Sequence, residues 1–159
     1  MLLAIIAMLV LIADQGSKAL IRYLMPVDTS IALVPGIVHI THVRNPGAAF
    51  SLFPDQRLIF LIASIAVIIS IVYYYRRAGG VDRMLTIALG LVLGGATGNL
   101  IDRVVSGRVT DFIDFRVWPI FNIADSAIDI GVALLIISMF SSARKESAQA
   151  KNPEQTPQS

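Results

Sequence analysis

Four stretches of this chain are apolar for long enough to cross a lipid bilayer, and this constrains its fold more than any other feature. A spanning helix needs about 20 mostly apolar residues at ~1.5 Å each. Residues 2–24, 58–75, 84–101 and 121–142 meet that requirement. Backbone N–H and C=O groups find no partner in hydrocarbon, so these runs must be helices and not open strands. The chain is 55 % hydrophobic and only 15 % charged over 159 residues, more apolar surface than one soluble core of that length can hide. Residues 1–25 begin like a signal peptide. They lack a basic leading segment and continue past Asp14, Lys18 and Arg22 without a clear small-residue cleavage site, so a retained helix is expected.

Pro26 ends the first run, and Tyr73, Tyr74 and Tyr75 followed by Arg76 and Arg77 close the second as an aromatic belt with charge behind it. Residues 27–57 are too polar and too rich in Pro and Gly to span. Within them, residues 37–43 alternate in polarity and predict a short strand on the membrane surface. Residues 109–121 are β-like as well, with Trp118 and Pro119 at an interface. Gly90, Gly94 and Gly98 recur every fourth residue and give the third helix a smooth face for close helix packing. The domain division expected is a membrane-embedded unit over 1–143 and a polar, disordered tail over 144–159.

Arg76, Arg77, Arg83, Arg144, Lys145 and Lys151 fall on one side of the membrane, and Arg44, Arg57, Arg103, Arg108 and Arg116 on the other. The first set is concentrated at helix ends, so the positive-inside rule puts both termini in the cytoplasm and the two long loops outside. The cations form no basic stripe, which argues against nucleic acid as a partner. The absence of cysteine excludes disulfides and thiolate chemistry.

An ionisable side chain at the bilayer centre costs on the order of 2.5–3.5 kcal/mol unless paired or wet, so those in the apolar runs need a reason. Asp14 and Lys18 stand four apart in the first helix, acid before base, as a helical ion pair does. Asn99, Asp102 and Arg103 cluster at the end of the third. Asn122 and Asp125 are one turn apart at the start of the fourth, with Asp129 a turn deeper on the same face. Asn122 suits a helix cap, which by itself leaves Asp125 unexplained. Asp111 and Asp114 lie in the connecting loop, so Asp102, Asp111, Asp114, Asp125 and Asp129 gather toward one membrane face. Two facing carboxylates in a poorly solvated place share a proton, the state an aspartyl protease uses. Spacing alone does not say which pair converges, and a proton or ion pathway through Asp14, Lys18, Asp125 and Asp129 and a purely structural network stand beside that reading. His39 and His42, three apart on a strand, point to opposite faces and make a poor metal pair; Ser51 with either lacks a third orienting group.

With these residues in view, the sequence resembles the lipoprotein signal peptidase family, also called signal peptidase II. Five blocks occur in the family's order: DQGSK at 14–18, VRNPGAAFS at 43–51, GNLIDR at 98–103, VTDF at 109–112 and FNIADSA at 121–127. The resemblance implies a four-helix, all-α membrane bundle with a small extracytoplasmic β-cradle and a surface helix, in the bacterial inner membrane, its active site near the outer face. It implies an aspartyl endopeptidase that cuts prolipoproteins on the N-terminal side of a diacylglyceryl-modified cysteine, with Asp111 and Asp125 as catalytic residues. Asp14, Asn45, Asn99, Arg103 and Asn122 would serve support and substrate contact, and Lys18 and Asp102 structure. No metal or organic cofactor is implied; prolipoprotein, membrane lipid and globomycin-like inhibitors are the partners, and a monomer is expected. Ala48, Ala49 and Phe50 would leave room for acyl chains. Asp129 departs from the family pattern, where a small or apolar residue is expected, and would stay protonated or pair with a cation such as Lys18.

Overall fold

A computed structural model describes residues 1–47, 56–78 and 80–151. The four expected helices are present as α1 (Leu2–Leu24), α2 (Gln56–Arg77), α3 (Arg83–Val105) and α4 (Ile123–Lys151). Each contains a stretch long and apolar enough to span a bilayer. Three short strands, β1 (Ser30–Val34), β2 (Val38–Asn45) and β3 (Val109–Asp114), form an antiparallel sheet in the order β1-β2-β3. α3 is the most enclosed helix and packs against α1, α2 and α4. Outer faces carry Ile5, Leu9, Ile12, Ile62, Ile69 and Phe140 exposed, as lipid-facing helices should.

The glycine face does what its spacing predicts. A Cβ on Gly94 would lie 2.6 Å from the Ala7 carbonyl oxygen, and one on Gly90 would meet Ile6 and the Leu3 carbonyl at 3.0–3.1 Å. α1 therefore lies backbone-close along α3 only because these positions carry no side chain. Gly95, on the next face, meets the Ala124 carbonyl of α4 at 2.5 Å in the same way.

Local chemistry sets the ends of the elements. Met25 turns extended ahead of Pro26, as the residue before proline tends to, and stops α1. The Asp82 carboxylate caps α3 by accepting from the Leu85 N–H at 2.9 Å. Between β1 and β2, the Ile37 N–H reaches the Val34 carbonyl across Pro35 and Gly36, and Gly36 takes the positive φ of 75° that this turn requires. β2 carries a bulge against β3 between Ile40 and Val43. His42 there is buried and holds the Met25 carbonyl through Nδ1 at 2.8 Å, fastening the sheet to the end of α1.

Several expectations need correction. β1 was not among the elements read from the sequence. The β character of 109–121 ends at Asp114, and Phe121 returns to pair with Ile113 as an isolated bridge. The surface helix of the expected fold is not among the described elements, and residues 48–55, between the sheet and α2, lie outside the described residues. α4 runs on to Lys151, past the expected end of the ordered unit at 143, because ARKESAQAK is rich in good helix formers. Residues 152–159, and Ala48, Ala49, Phe50 and Ser51 in the loop before α2, lie outside the described residues.

Candidate active site

The polar residues of the apolar segments converge where the sheet meets α1, α3 and α4. Lys18 is fully buried, and its ammonium reaches three acceptors: Asp14 Oδ2 at 2.8 Å, Asn99 Oδ1 at 2.9 Å and Asp102 Oδ2 at 3.1 Å. A buried ammonium is tolerable only when its donors are so used. The Asp14–Lys18 pair is thus an ion pair, as its spacing suggests, but one embedded between helices. Asp14 Oδ1 also accepts the Ala124 N–H at 3.0 Å, so a carboxylate of α1 satisfies an orphan donor in the first turn of α4. Gln15, not singled out from the sequence, bridges Asp14 and the Gly98 carbonyl at 3.0 Å each.

Asp102 secures the strand that carries Asp111. Its Oδ2 accepts the Thr110 N–H at 3.1 Å, and Arg22 reaches both Asp102 Oδ1 (3.4 Å) and Thr110 Oγ1 (3.2 Å). Arg22 was also missed, although it continues the four-residue spacing of Asp14 and Lys18 along one helix face.

Next to this network lie two carboxylates tied to a single residue, Asn122. Asn122 Nδ2 donates to Asp111 Oδ1 at 2.6 Å, while Asn122 Oδ1 accepts the Asp125 N–H at 3.0 Å and Asp125 Oδ2 accepts the Asn122 N–H at 3.2 Å. Asn122 and Asp125 thereby make a reciprocal capping box at the start of α4. The view that capping leaves Asp125 unexplained is corrected: Asp125 caps with one oxygen. Its other, Oδ1, accepts from Asn99 Nδ2 at 2.7 Å. Asp111 Oδ2 accepts from Asn45 Nδ2 at 2.9 Å. Asn99 Oδ1 faces Lys18 and, at 3.3 Å, Asn122 Nδ2, so the amide is oriented with its NH2 toward Asp125.

Asp111 stands outside the spanning segments, and burial pushes its carboxyl up from 3.8 to about 6, against the opposing Asn45 donor and with the nearby Asp125 charge adding to the rise. Asp114 behaves differently. Three residues along a strand, it faces away from Asp111, and the Thr41 hydroxyl at 2.7 Å and the Arg116 N–H at 2.8 Å hold its carboxyl below the usual range. Asp114 is part of the sheet's own network and does not join the pair.

Arg103 reaches the site from the α2 side. Its guanidinium lies 5.4 Å from the Phe60 ring centroid and donates to Ser64 Oγ at 3.3 Å, so α2 residues not read from the sequence aim it. The Phe60 ring also fills the space a Cβ on Gly47 would need, and Gly47 has a φ of 92° that suits glycine. Two hollows meet at Asp125. One, of about 310 Å³, opens between α2, α3 and α4 and is lined by Ala63, Val67, Ala96 and Ile128 with Arg103. The other, of about 620 Å³, runs under the β3–α4 connection past Phe115, Trp118 and Phe121 to Asp129. Asp129 is exposed in that second hollow and does not pair with Lys18, whose donors are taken by Asp14, Asn99 and Asp102. Among the described residues no cluster of His, Asp or Glu is arranged to hold a metal ion.

Comparison with known proteins gives a consistent set of matches. The family model described as "Signal peptidase (SPase) II" matches residues 6–141. A lipoprotein signal peptidase of Halothermothrix orenii is 43 % identical over 86 % of this chain and 93 % of its own length, and one of Pelotomaculum thermopropionicum is 40 % identical over 95 % and 99 %. Two solved structures of bacterial membrane enzymes, obtained by the in meso method at 1.9 Å and 2.3 Å, superpose with TM-scores of 0.79 and 0.80. Their identities are 39 % and 34 %, covering 85 % and 98 % of this chain and 90 % and 93 % of theirs.

Proposed function

The chain belongs to the signal peptidase II family, and from that premise we propose that Asp111 and Asp125 are the catalytic pair with which it cleaves prolipoproteins. It is a bacterial membrane protease that removes signal peptides from prolipoproteins. The observation that carries the assignment of the pair is Asn122, whose side-chain amide donates to the Asp111 carboxylate and whose backbone N–H donates to that of Asp125, while Asn45 and Asn99 donate to their other oxygens.

The pair shares one proton. The ionised member draws a proton from water as the oxygen attacks the scissile carbonyl carbon, and the protonated member donates to the carbonyl oxygen, on which negative charge develops. Collapse of the tetrahedral intermediate breaks the C–N bond, and the proton taken from water passes to the leaving amine. Arg103, positioned over Phe60, contacts the substrate from the α2 side. Lys18, Asp14 and Asp102 keep the elements that carry the pair in register and touch no reacting atom.

The substrate class is a prolipoprotein with a diacylglyceryl-modified cysteine, cut on the N-terminal side of that cysteine. Its signal segment enters laterally from the bilayer. The apolar hollows that meet at Asp125 support this route, since a lipid-bearing substrate need never leave a low-dielectric path. Both termini are in the cytoplasm and the pair near the outer face of the inner membrane; the position of Arg76, Arg77 and Arg83 at the end of the bundle away from the sheet supports this through the positive-inside rule. Peptidase activity needs only residues 1–143, although α4 continues to Lys151; the protein works as a monomer, and globomycin-like cyclic peptides compete for the hollows that meet at Asp125.

Detergent-solubilised protein incubated with lipidated and unlipidated prolipoprotein tests the reading by mass spectrometry. The expected product pair is a free signal peptide and a protein beginning at the lipidated cysteine, formed from the lipidated substrate alone. Ion flux in liposomes without cleavage would instead support the channel reading of the same acidic residues.

A further inference from the structure

Asp129 is the carboxylate that the rest of the site leaves unused. Asp14, Asp102, Asp111 and Asp125 each accept hydrogen bonds from named donors, and Asp114 is held by Thr41 and Arg116. Asp129 is exposed and makes no hydrogen bond or ion pair among the described residues. An ionisable group on an apolar spanning helix is costly to keep unless a function brings it a partner.

Its position says which partner. Asp129 and Asp125 line the same hollow of about 620 Å³, whose other walls include Ile37, Phe115, Trp118 and Phe121. Four helical residues separate the two carboxylates, about 6 Å along the axis, with Asp129 on the side away from the sheet. The signal segment is the part of the substrate that extends in that direction, into the apolar span. An extended chain advances about 3.3 Å per residue, so a substrate residue about two positions before the scissile bond comes level with Asp129 when the bond lies at Asp125. A hydroxyl is the smallest donor that can enter an apolar, aromatic-walled hollow and bond to a carboxylate there; a cationic side chain would carry a much larger desolvation cost.

We propose that Asp129 is a specificity-determining residue whose carboxylate accepts a hydrogen bond from a hydroxyl-bearing substrate side chain two residues before the scissile bond. The proposal rests on the reading of Asp125 as catalytic. It would let this enzyme rank its prolipoproteins by a polar group within an otherwise apolar segment.

The test uses two lipidated peptides, identical except for Ser or Ala at the second residue before the cysteine. The ratio of their kcat/KM values is measured for the wild type, Asp129→Ala and Asp129→Asn. The wild type should favour Ser about tenfold, the size expected for one well-made hydrogen bond. Asp129→Ala should bring the ratio near one, and Asp129→Asn, which keeps an acceptor oxygen, should fall between. Each ratio is internal to one protein, so a lower folded fraction cancels. No Ser preference in the wild type, or an unchanged ratio in Asp129→Ala, would overturn the proposal. Cleavage of both peptides by Asp125→Asn would instead overturn the assignment of the pair, so the two failures are distinguishable.

Discussion

Replacing Asp111 by Asn should remove a loss of stability that the wild type suffers as pH rises. The Asp111 side chain is 2 % exposed, and burial is the largest influence on its carboxyl, raising it from 3.8 to about 6. One pKa unit corresponds to about 1.36 kcal/mol, so keeping this group ionised in the folded state costs ~3 kcal/mol relative to the unfolded chain. Because the folded pKa lies above the unfolded one, its contribution to stability is full below about pH 4. It is lost as pH rises through about 6. Asparagine cannot ionise, so the Asp111→Asn variant lacks this loss. It forfeits instead an acceptor for the Asn45 or Asn122 amide, a cost of about 1 kcal/mol that does not vary with pH. Chemical unfolding of both proteins in the same detergent, from pH 4 to 8, gives the difference directly. The variant should gain on the wild type by ~2–3 kcal/mol across that range, most steeply between about pH 4 and 6. A flat difference, or one running the other way, would mean that the asparagine donors outweigh burial and that Asp111 is an ordinary low-pKa carboxylate.

Asp14→Asn should act on stability more than on turnover. It removes the partner of a fully buried lysine and weakens the acceptor at the start of α4, so a loss of ~3 kcal/mol is expected in thermal or chemical unfolding, with measurable cleavage at low temperature. Gly94→Leu should loosen α1 from α3, since even a Cβ there meets the Ala7 carbonyl at 2.6 Å; an unchanged melting temperature in detergent would contradict that packing. Deleting 144–159, past the end of the family match at residue 141, should leave cleavage of the lipidated substrate within about threefold of the full chain when compared at equal folded concentration.

The helices were legible because lipid allows so few alternatives. A run of apolar residues must close its own hydrogen bonds, so length and hydropathy sufficed to place their ends within a few residues, except the polar C-terminal extension of α4. β1 was not legible, for the opposite reason: SIALV is a short edge strand exposed on every residue, with no buried face to impose alternation. Pro35-Gly36 was the available signal, a turn pair between two short apolar runs. In the site, helical spacing paired Asp14 with Lys18 and Asn122 with Asp125, but spacing carries no information on what crosses between helices. The contact from Asp14 to the Ala124 N–H and that from Asp102 to the Thr110 N–H depend on how α1, α3, β3 and α4 come together. Between Asp111 and Asp114 it was the family resemblance that chose, and the strand supplies the physical reason, since a period of two sends residues three apart to opposite faces.

Single-turnover cleavage of one lipidated prolipoprotein by the wild type, Asp111→Asn, Asp125→Asn and the double variant tests the catalytic pair most directly. All four are compared at matched folded concentration, with substrate binding measured alongside. Two carboxylates that share one proton and act as a unit fail together, so each single variant should bind substrate yet fall to the residual rate of the double. Turnover near the wild-type rate in either single variant would dismiss the pair and return Asp102 and Asp114 to candidacy.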